Sequence, residues 1–273
     1  MPDMNEIVGT HDILLIVLDS LRYDVAAQLL YSGETPVLRR YVGEWVEAHT
    51  PGTFALPANH AFFAGFLPTP LEGPRTRLFG SRIAGSETAT TKTCTFEEPD
   101  IVRGLAARGY HTLCVGGNGF FTKESPLSSV LPDYFVESHW TPEFGVGDVN
   151  STFQQVSFLC KWLSQHPEDK LLFTYLNIVA THQPTNIYLD WEEPDSLESH
   201  AAALEYVDDC IAPLFEACAL RRDTFVIICS DHGTAYGEDG FYGHRNGHSV
   251  VTTVPYAHFR LKAQRDPGFS VRH

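Results

Sequence analysis

The densest chemistry in the chain lies at residues 225–248, FVIICSDHGTAYGEDGFYGHRNGH, where an apolar run ends in Ser-Asp-His-Gly and a glycine-rich stretch with further acids and histidines follows. Asp231 and His232 close the apolar run, and His244 and His248 come after them. A second carboxylate, Asp19, ends another apolar run, ILLIVLD at 13–19. Two carboxylates and an imidazole make a ligand set suited to Zn²⁺ or Mn²⁺, which accept nitrogen and oxygen together, whereas Ca²⁺ prefers oxygen alone. Taken singly, an acid at a strand end is more simply the cap of the next helix, and that is the plainer reading of Asp19 alone. The adjacency of Asp231 and His232, with more histidines downstream, favours a centre for one or two divalent ions.

Such residues meet only if the elements carrying them run side by side. Short apolar runs at 13–19, 111–117, 171–178, 224–231 and 254–261 read as strands. Helical patterns fall near 35–48, 57–65, 97–108, 151–165 and 195–220. Continuous apolar strands alternating with helices predict an α/β fold, a mostly parallel sheet covered by helices on both faces, here as a single domain over 1–273. Ligands bind beyond the carboxyl ends of such strands. Asp19, Asn177 with the following IVATHQP, and Asp231 with His232 all end strands and are expected to converge there. The Gly/Pro/Thr-rich region at 68–96 reads as a long loop, with room for a hairpin, on the substrate rim.

A net charge of -15, from 34 acidic and 19 basic side chains, disfavours a nucleic-acid or anionic-membrane surface. A local phosphate site then needs metal ions to supply positive charge. No apolar run reaches the ~20 residues of a membrane span, and the start MPDMNEIVGTHD lacks a secretory pattern, so the expected location is the cytoplasm. The six cysteines are widely spaced without a Cys-x-x-Cys pair and read as small core residues. A homo-oligomer is compatible with the sequence, which sets no oligomeric state.

Three segments together resemble a known group. SDHGTAYGEDGFYGH is similar to the SDHGES-GENG-Y-HG signature of phosphoethanolamine transferases, DSLRYD to their ESARAD, and THQPTNIY to their SHGPTYY. The chain thus resembles the alkaline phosphatase and sulfatase superfamily, in particular short cytosolic sulfatase-like hydrolases. The resemblance implies metal-assisted hydrolysis or transfer of phosphate, phosphonate or sulfate esters of a small molecule or modified peptide. It implies that Asp19, Asp231 and His232 bind the metal that activates the nucleophile, and that His182 and His244 hold a second metal or the ester oxygens. His248 has no firm counterpart, but its place on the same loop makes it a candidate ligand or phosphate contact. His11, His49, His111, His139, His166, His200, His258 and His273 take the ordinary reading of surface or hydrogen-bonded side chains.

The resemblance breaks at the nucleophile. Superfamily members carry Thr, Ser or a formylglycine-forming Cys at a helix start, in a pattern like T-x-P-x-H-x-x-x-x-T-G. TPGTFALPANHAFFAGFLP supplies Pro57, Gly65 and Pro68 in place, but the nucleophile position is Ala55, which has nothing to attack with. Three readings stay open: Ala55 replaces the native hydroxyl residue, Thr53 supplies the hydroxyl through a kinked loop, or a metal-activated water attacks. A type I sulfatase is disfavoured, because ALPAN lacks the Cys and Arg of C-x-P-x-R. A pseudoenzyme that binds metal without turnover is the alternative from another class, and a mutase would need an inserted second domain that the sequence does not offer. Asn59, His60, Arg22 and Asn118 are candidate substrate contacts, each weighed against helix-face, ion-pair or turn roles.

Overall fold

The computed structural model describes residues 2–65, 100–166 and 170–264. Along the chain run α1 (Met4–Ile7), β1 (Asp12–Leu18), α2 (Tyr23–Ser32), α3 (Pro36–Val42), β2 (Val46–His49) and α4 (Ala55–Ala64). Then come α5 (Ile101–Ala107), β3 (Tyr110–Val115), α6 (Pro126–Ser129), β4 (Glu137–His139), α7 (Ser151–Gln165) and β5 (Leu171–Ile178). The last part holds α8 (Leu197–Arg221), β6 (Thr224–Ser230), the two-residue strands β7 (Ala235–Tyr236) and β8 (Tyr242–Gly243), α9 (Ser249–Thr252) and β9 (Thr253–Leu261).

Seven strands form one sheet in the order β2-β9-β6-β1-β5-β3-β4. The pairs β1·β5, β1·β6, β3·β5 and β3·β4 are parallel, and β9 joins β6 and β2 antiparallel. The expected mostly parallel sheet is what the chain builds. DILLIVL forms the central strand because it is apolar on both faces: Leu14, Ile16 and Leu18 enter the core under α2, α3, α7 and α8, while Ile13 and Val17 enter the core shared with α1, α4 and α5. The described helices therefore cover both faces, and none of them is long and apolar enough to cross a membrane.

Several boundaries differ from the sequence expectation. The helix expected over 35–48 stops at Val42, because Gly43 takes φ 70° and turns the chain into β2, which lies antiparallel on β9. Over so short a window the apolar spacing of VGEWVEAH satisfies either period. The helix expected at 57–65 starts two residues earlier, at Ala55, and Pro57 sits in its first turn, where an amide hydrogen has no intrahelical partner to lose. The helix expected at 97–108 is found at Ile101–Ala107, capped by Asp100, and helix α2 was not expected. The loop at 68–96 lies outside the described residues. Cys114, Cys160, Cys210, Cys218 and Cys229 are free thiols, and burial pushes the Cys229 thiol up to about 12, which leaves it unreactive.

Helix α3 starts at Thr35 without a side-chain cap; instead Asp208, from α8, accepts the amides of Val37 at 3.0 Å and Leu38 at 2.6 Å. Asp208→Ala leaves two donors of a buried helix start unpaired, so it should destabilise the protein by about 1–3 kcal/mol, read as a lower denaturant midpoint at unchanged slope.

Candidate metal centre

The sheet itself brings the acids together. The last register pairs of β1 are Leu18 with Ile178 and Leu18 with Ser230, so Asp19 and Asp231 are the next residues on adjacent parallel strands. Strands in that relation lie about 4.8 Å apart. β1 sits between β5 and β6, where the order of the parallel strands reverses, which is where open α/β sheets bind ligands. Asp19 continues the ladder by donating its amide to Ile178 O at 2.8 Å, and Thr181 Oγ1 holds Asp19 O at 2.7 Å. Thr50 Oγ1 does the same for the backbone carbonyl of Asp231.

Ligand atoms of Asp19, Asp231 and His232 lie within 4.8 Å of one another, and all three residues are buried. His232 Nε2 is 3.4 Å from Asp19 Oδ1 and 3.8 Å from Asp231 Oδ1. His244 lies near, its ring centre 4.7 Å from that of His232 and 5.3 Å from that of His182. His232 donates Nδ1–H to Gly233 O at 2.9 Å and His182 donates Nδ1–H to Gln183 O at 2.6 Å. Anchoring Nδ1 on a carbonyl fixes the tautomer and presents Nε2, the arrangement that metal-ligating histidines use. The donor set therefore fits Zn²⁺ or Mn²⁺.

Other side chains hold the carboxylates. Asp19 Oδ2 accepts from Asn118 Nδ2 at 2.7 Å and Asn177 Nδ2 at 3.4 Å, and Asp19 Oδ1 from Ser20 Oγ at 3.2 Å. Asp231 Oδ1 accepts the amides of Ser20 at 3.3 Å and His232 at 3.1 Å, and Oδ2 accepts from Asn59 Nδ2 at 3.1 Å. Ser20 reaches Asp231 because its backbone is left-handed, φ 67°, a costly conformation for a residue with a Cβ that this hydrogen bond offsets. Gly233 is needed for close approach: a Cβ there would lie 1.9 Å from Val250 O.

Burial is the largest influence on Asp19 and opposes its charge, but the His232 hydrogen bond, the His182 and His232 charges and Asn118 outweigh it and hold the carboxyl well below its usual range. Asp231 is pushed the other way, by burial and then by the Asp19 charge. His232 overcomes its own burial through Asp231 and Asp19 and is raised to about 9. Burial and the neighbouring His232 and His182 lower His244 to about 4, so it is neutral with one ring nitrogen's lone pair available. In the metal-free chain the His232 proton thus occupies the place of a cation between two acids.

Position 55 is tied to this centre. Ala55 is the first residue of α4, and Asn59 Nδ2 bridges Ala55 O at 2.9 Å to Asp231. The N-cap, Phe54, offers no side-chain cap, so the first amides of α4 are available to an anion.

The Sulfatase family model matches residues 11–256. The chain belongs to the sulfatase family. The fold of this sulfatase-family chain is also that of the soluble domain of lipooligosaccharide phosphoethanolamine transferase A from Neisseria meningitidis, at TM-score 0.63 and 18% identity over 93% of this chain and 78% of that one. Against the integral membrane form of that enzyme the values are 0.61 and 19%, over 93% of this chain and 48% of that one, so this chain spans about half of its length. The C-terminal periplasmic domain of EptC from Escherichia coli, in complex with Zn, aligns at TM-score 0.64 and 14% identity over 93% of this chain and 74% of that one. No curated protein matches the sequence.

Several side chains read from the sequence as substrate contacts have structural partners instead. Both ends of the Asn59 amide are used, since Tyr175 donates to Oδ1 at 2.6 Å. His60 is buried beside Tyr134, with its ring centre 6.1 Å from that ring. Asn118 donates to Asp19 and accepts from Phe120 N at 2.9 Å, so it positions a ligand. His248 stands apart from the cluster: Nδ1 accepts from Val250 N at 3.2 Å at the start of α9, and Nε2 lies 3.2 Å from Asp239. Thr53 precedes Phe54 and accepts the Arg245 amide on its carbonyl at 2.8 Å. The sequence does not single out Ser20, Thr50 or Tyr175, whereas Asn177 and the segment holding Thr181 lie at the strand end where the sequence places them.

Arg22, only 3% exposed, is saturated: Nε and Nη2 bind Asp24 at 2.9 and 2.6 Å, while Nη1 meets Glu238 and, at 3.5 Å, Thr234 O. It braces the loop after Asp19 to the loop after His232. Arg22→Met and Glu238→Gln should each weaken Zn²⁺ affinity by roughly 10-fold or more, as loss of outer supports of metal ligands does, and the double variant should lose less than the product, in calorimetric titrations.

The His232 shift sets a second expectation. A histidine raised above 6.5 to about 9 stabilises the metal-free fold fully below pH 6.5, and that contribution is lost as pH rises through about 9. Metal must displace the same proton, so Zn²⁺ affinity should rise by up to about tenfold per pH unit between pH 7 and 9 and then level. Melting temperature with and without metal across this range measures both.

Proposed function

We propose that this chain is built for metal-dependent hydrolysis or transfer of a phosphate, phosphonate or sulfate ester. The observation that carries the reading is the convergence of Asp19 with Asp231 and His232, from adjacent strands, into one buried set of ligand atoms. A divalent ion held there supplies Lewis acidity and lowers the pKa of a coordinated hydroxyl. His182 and His244 hold a second ion or orient the ester oxygens. The first amides of α4 face developing negative charge in the manner of an oxyanion site. The attacking hydroxyl belongs at position 55, on the first residue of α4, and Asn59 keeps that turn in register with Asp231. Zinc is favoured by the mixed donor set and by the Zn complex of the Escherichia coli EptC domain, with manganese the other candidate. The substrate is a small-molecule or modified-peptide ester.

Ala55 itself favours a second reading, a metal-binding protein of the same fold without turnover, since alanine can neither attack nor ligate. The two part at one experiment. Ala55→Thr or Ala55→Ser, loaded with Zn²⁺ or Mn²⁺, should raise turnover of at least one of p-nitrophenyl phosphate, bis-p-nitrophenyl phosphate and p-nitrophenyl sulfate by about 100-fold or more over the unsubstituted chain. If neither variant gains on any ester while metal is bound stoichiometrically, the non-catalytic reading stands.

A further inference from the structure

We propose that Arg245 contacts the substrate anion and gives the site a preference for esters carrying two negative charges over those carrying one; the inference rests on the ester-binding reading above. Arg22, the arginine nearest Asp19 in sequence, is unavailable, because two carboxylates and a carbonyl occupy its guanidinium. Arg245 is the contrasting case. It follows His244 directly, its side chain is exposed, and among the described residues it forms no ion pair in a chain of net charge -15. Its guanidinium instead lies over an aromatic ring.

The cation is nevertheless held in place. The Arg245 amide donates to Thr53 O at 2.8 Å, and the residue takes φ 70°, a left-handed conformation uncommon for a residue with a Cβ. Its guanidinium carbon lies 4.5 Å from the centre of the Phe54 ring, and Phe54 is steadied by Phe120, with ring centres 6.3 Å apart. Stacking on a ring face orders a guanidinium while leaving its N–H edges free, and that planar fork matches two oxygens of a phosphate. Phe54 is the N-cap of α4, so the cation is held against the residue that precedes position 55, and in the chain it follows His244 directly. One unpaired charge so placed adds attraction in proportion to the charge on the ligand, which is why it separates dianions from monoanions.

The test uses the full chain loaded with Zn²⁺ and titrated at pH 8 with methyl phosphate, a dianion, and dimethyl phosphate, a monoanion. The unsubstituted protein should bind methyl phosphate more tightly. Arg245→Gln should lose about tenfold for methyl phosphate and at most about threefold for dimethyl phosphate, and Arg245→Lys should recover only part, because it keeps the charge without the fork. Arg40→Gln, which removes an exposed charge that stacks on Tyr41, controls for net charge and should change neither affinity. Equal affinities in the unsubstituted chain and Arg245→Gln overturn the role of Arg245 and leave the ester-binding reading intact. Binding of neither ester by metal-loaded unsubstituted protein overturns both.

Discussion

Two carboxylates on neighbouring strands, both buried, repel each other, and the site is organised around that repulsion. Bringing Asp19 and Asp231 into one register leaves a negative cavity that water does not screen, so the pair favours either a proton on Asp231 or positive charge between them. In the metal-free chain His232 supplies it by staying protonated, which is why its affinity for the proton is raised although burial opposes the charge. A divalent ion meets the same need more completely, with two charges and several coordination positions. The pull of the two acids on His232 and the attraction of a metal to the site are thus one electrostatic fact in two states of loading.

The supporting side chains follow from the same constraint. Each Asp oxygen is steered by a neutral donor: Asn118, Asn177 and Ser20 around Asp19, and Asn59 with two backbone amides around Asp231. Neutral donors satisfy lone pairs without competing with the metal for negative charge, as a lysine or arginine there would. Arg22, a buried arginine in the loop after Asp19, is held by Asp24 and Glu238. Its charge is spent on joining two loops, an arrangement that suits a centre where stray cations would weaken metal binding.

Much of this was legible in the sequence, for identifiable reasons. Continuous apolar strands with acids at their carboxyl ends gave the sheet and the meeting of Asp19 with Asp231, because strand ends in a parallel sheet converge by geometry. His182, His232 and His244 were recoverable from motif resemblance. Directional roles were not. Asn59 and Asn118 look like substrate contacts in sequence, because an amide at a helix start or after a strand serves equally well to bind ligand or to hold a carboxylate, and only the partner distances decide. The support from Tyr175 needed knowledge of which sheet face it occupies. His248 shared a loop with His244, yet the chain turns between them and carries it to the start of α9.

Position 55 shows how far such a site can be complete without its reacting group. The anchors around Ala55 use backbone and neighbours: Asn59 binds its carbonyl, Phe54 caps nothing, and Gly52 lets the preceding loop pack on the first turn, where a Cβ would lie 2.7 Å from Ala58 N. None of these contacts depends on the side chain at 55, so a methyl group there costs the fold little. The metal ligands likewise arrive from β1, β6 and the loops after them rather than from α4. On the proposed reading, the set of ligand atoms and the attacking atom are therefore separable: the first stands without the second, and a hydroxyl introduced at that helix start would meet a set already assembled.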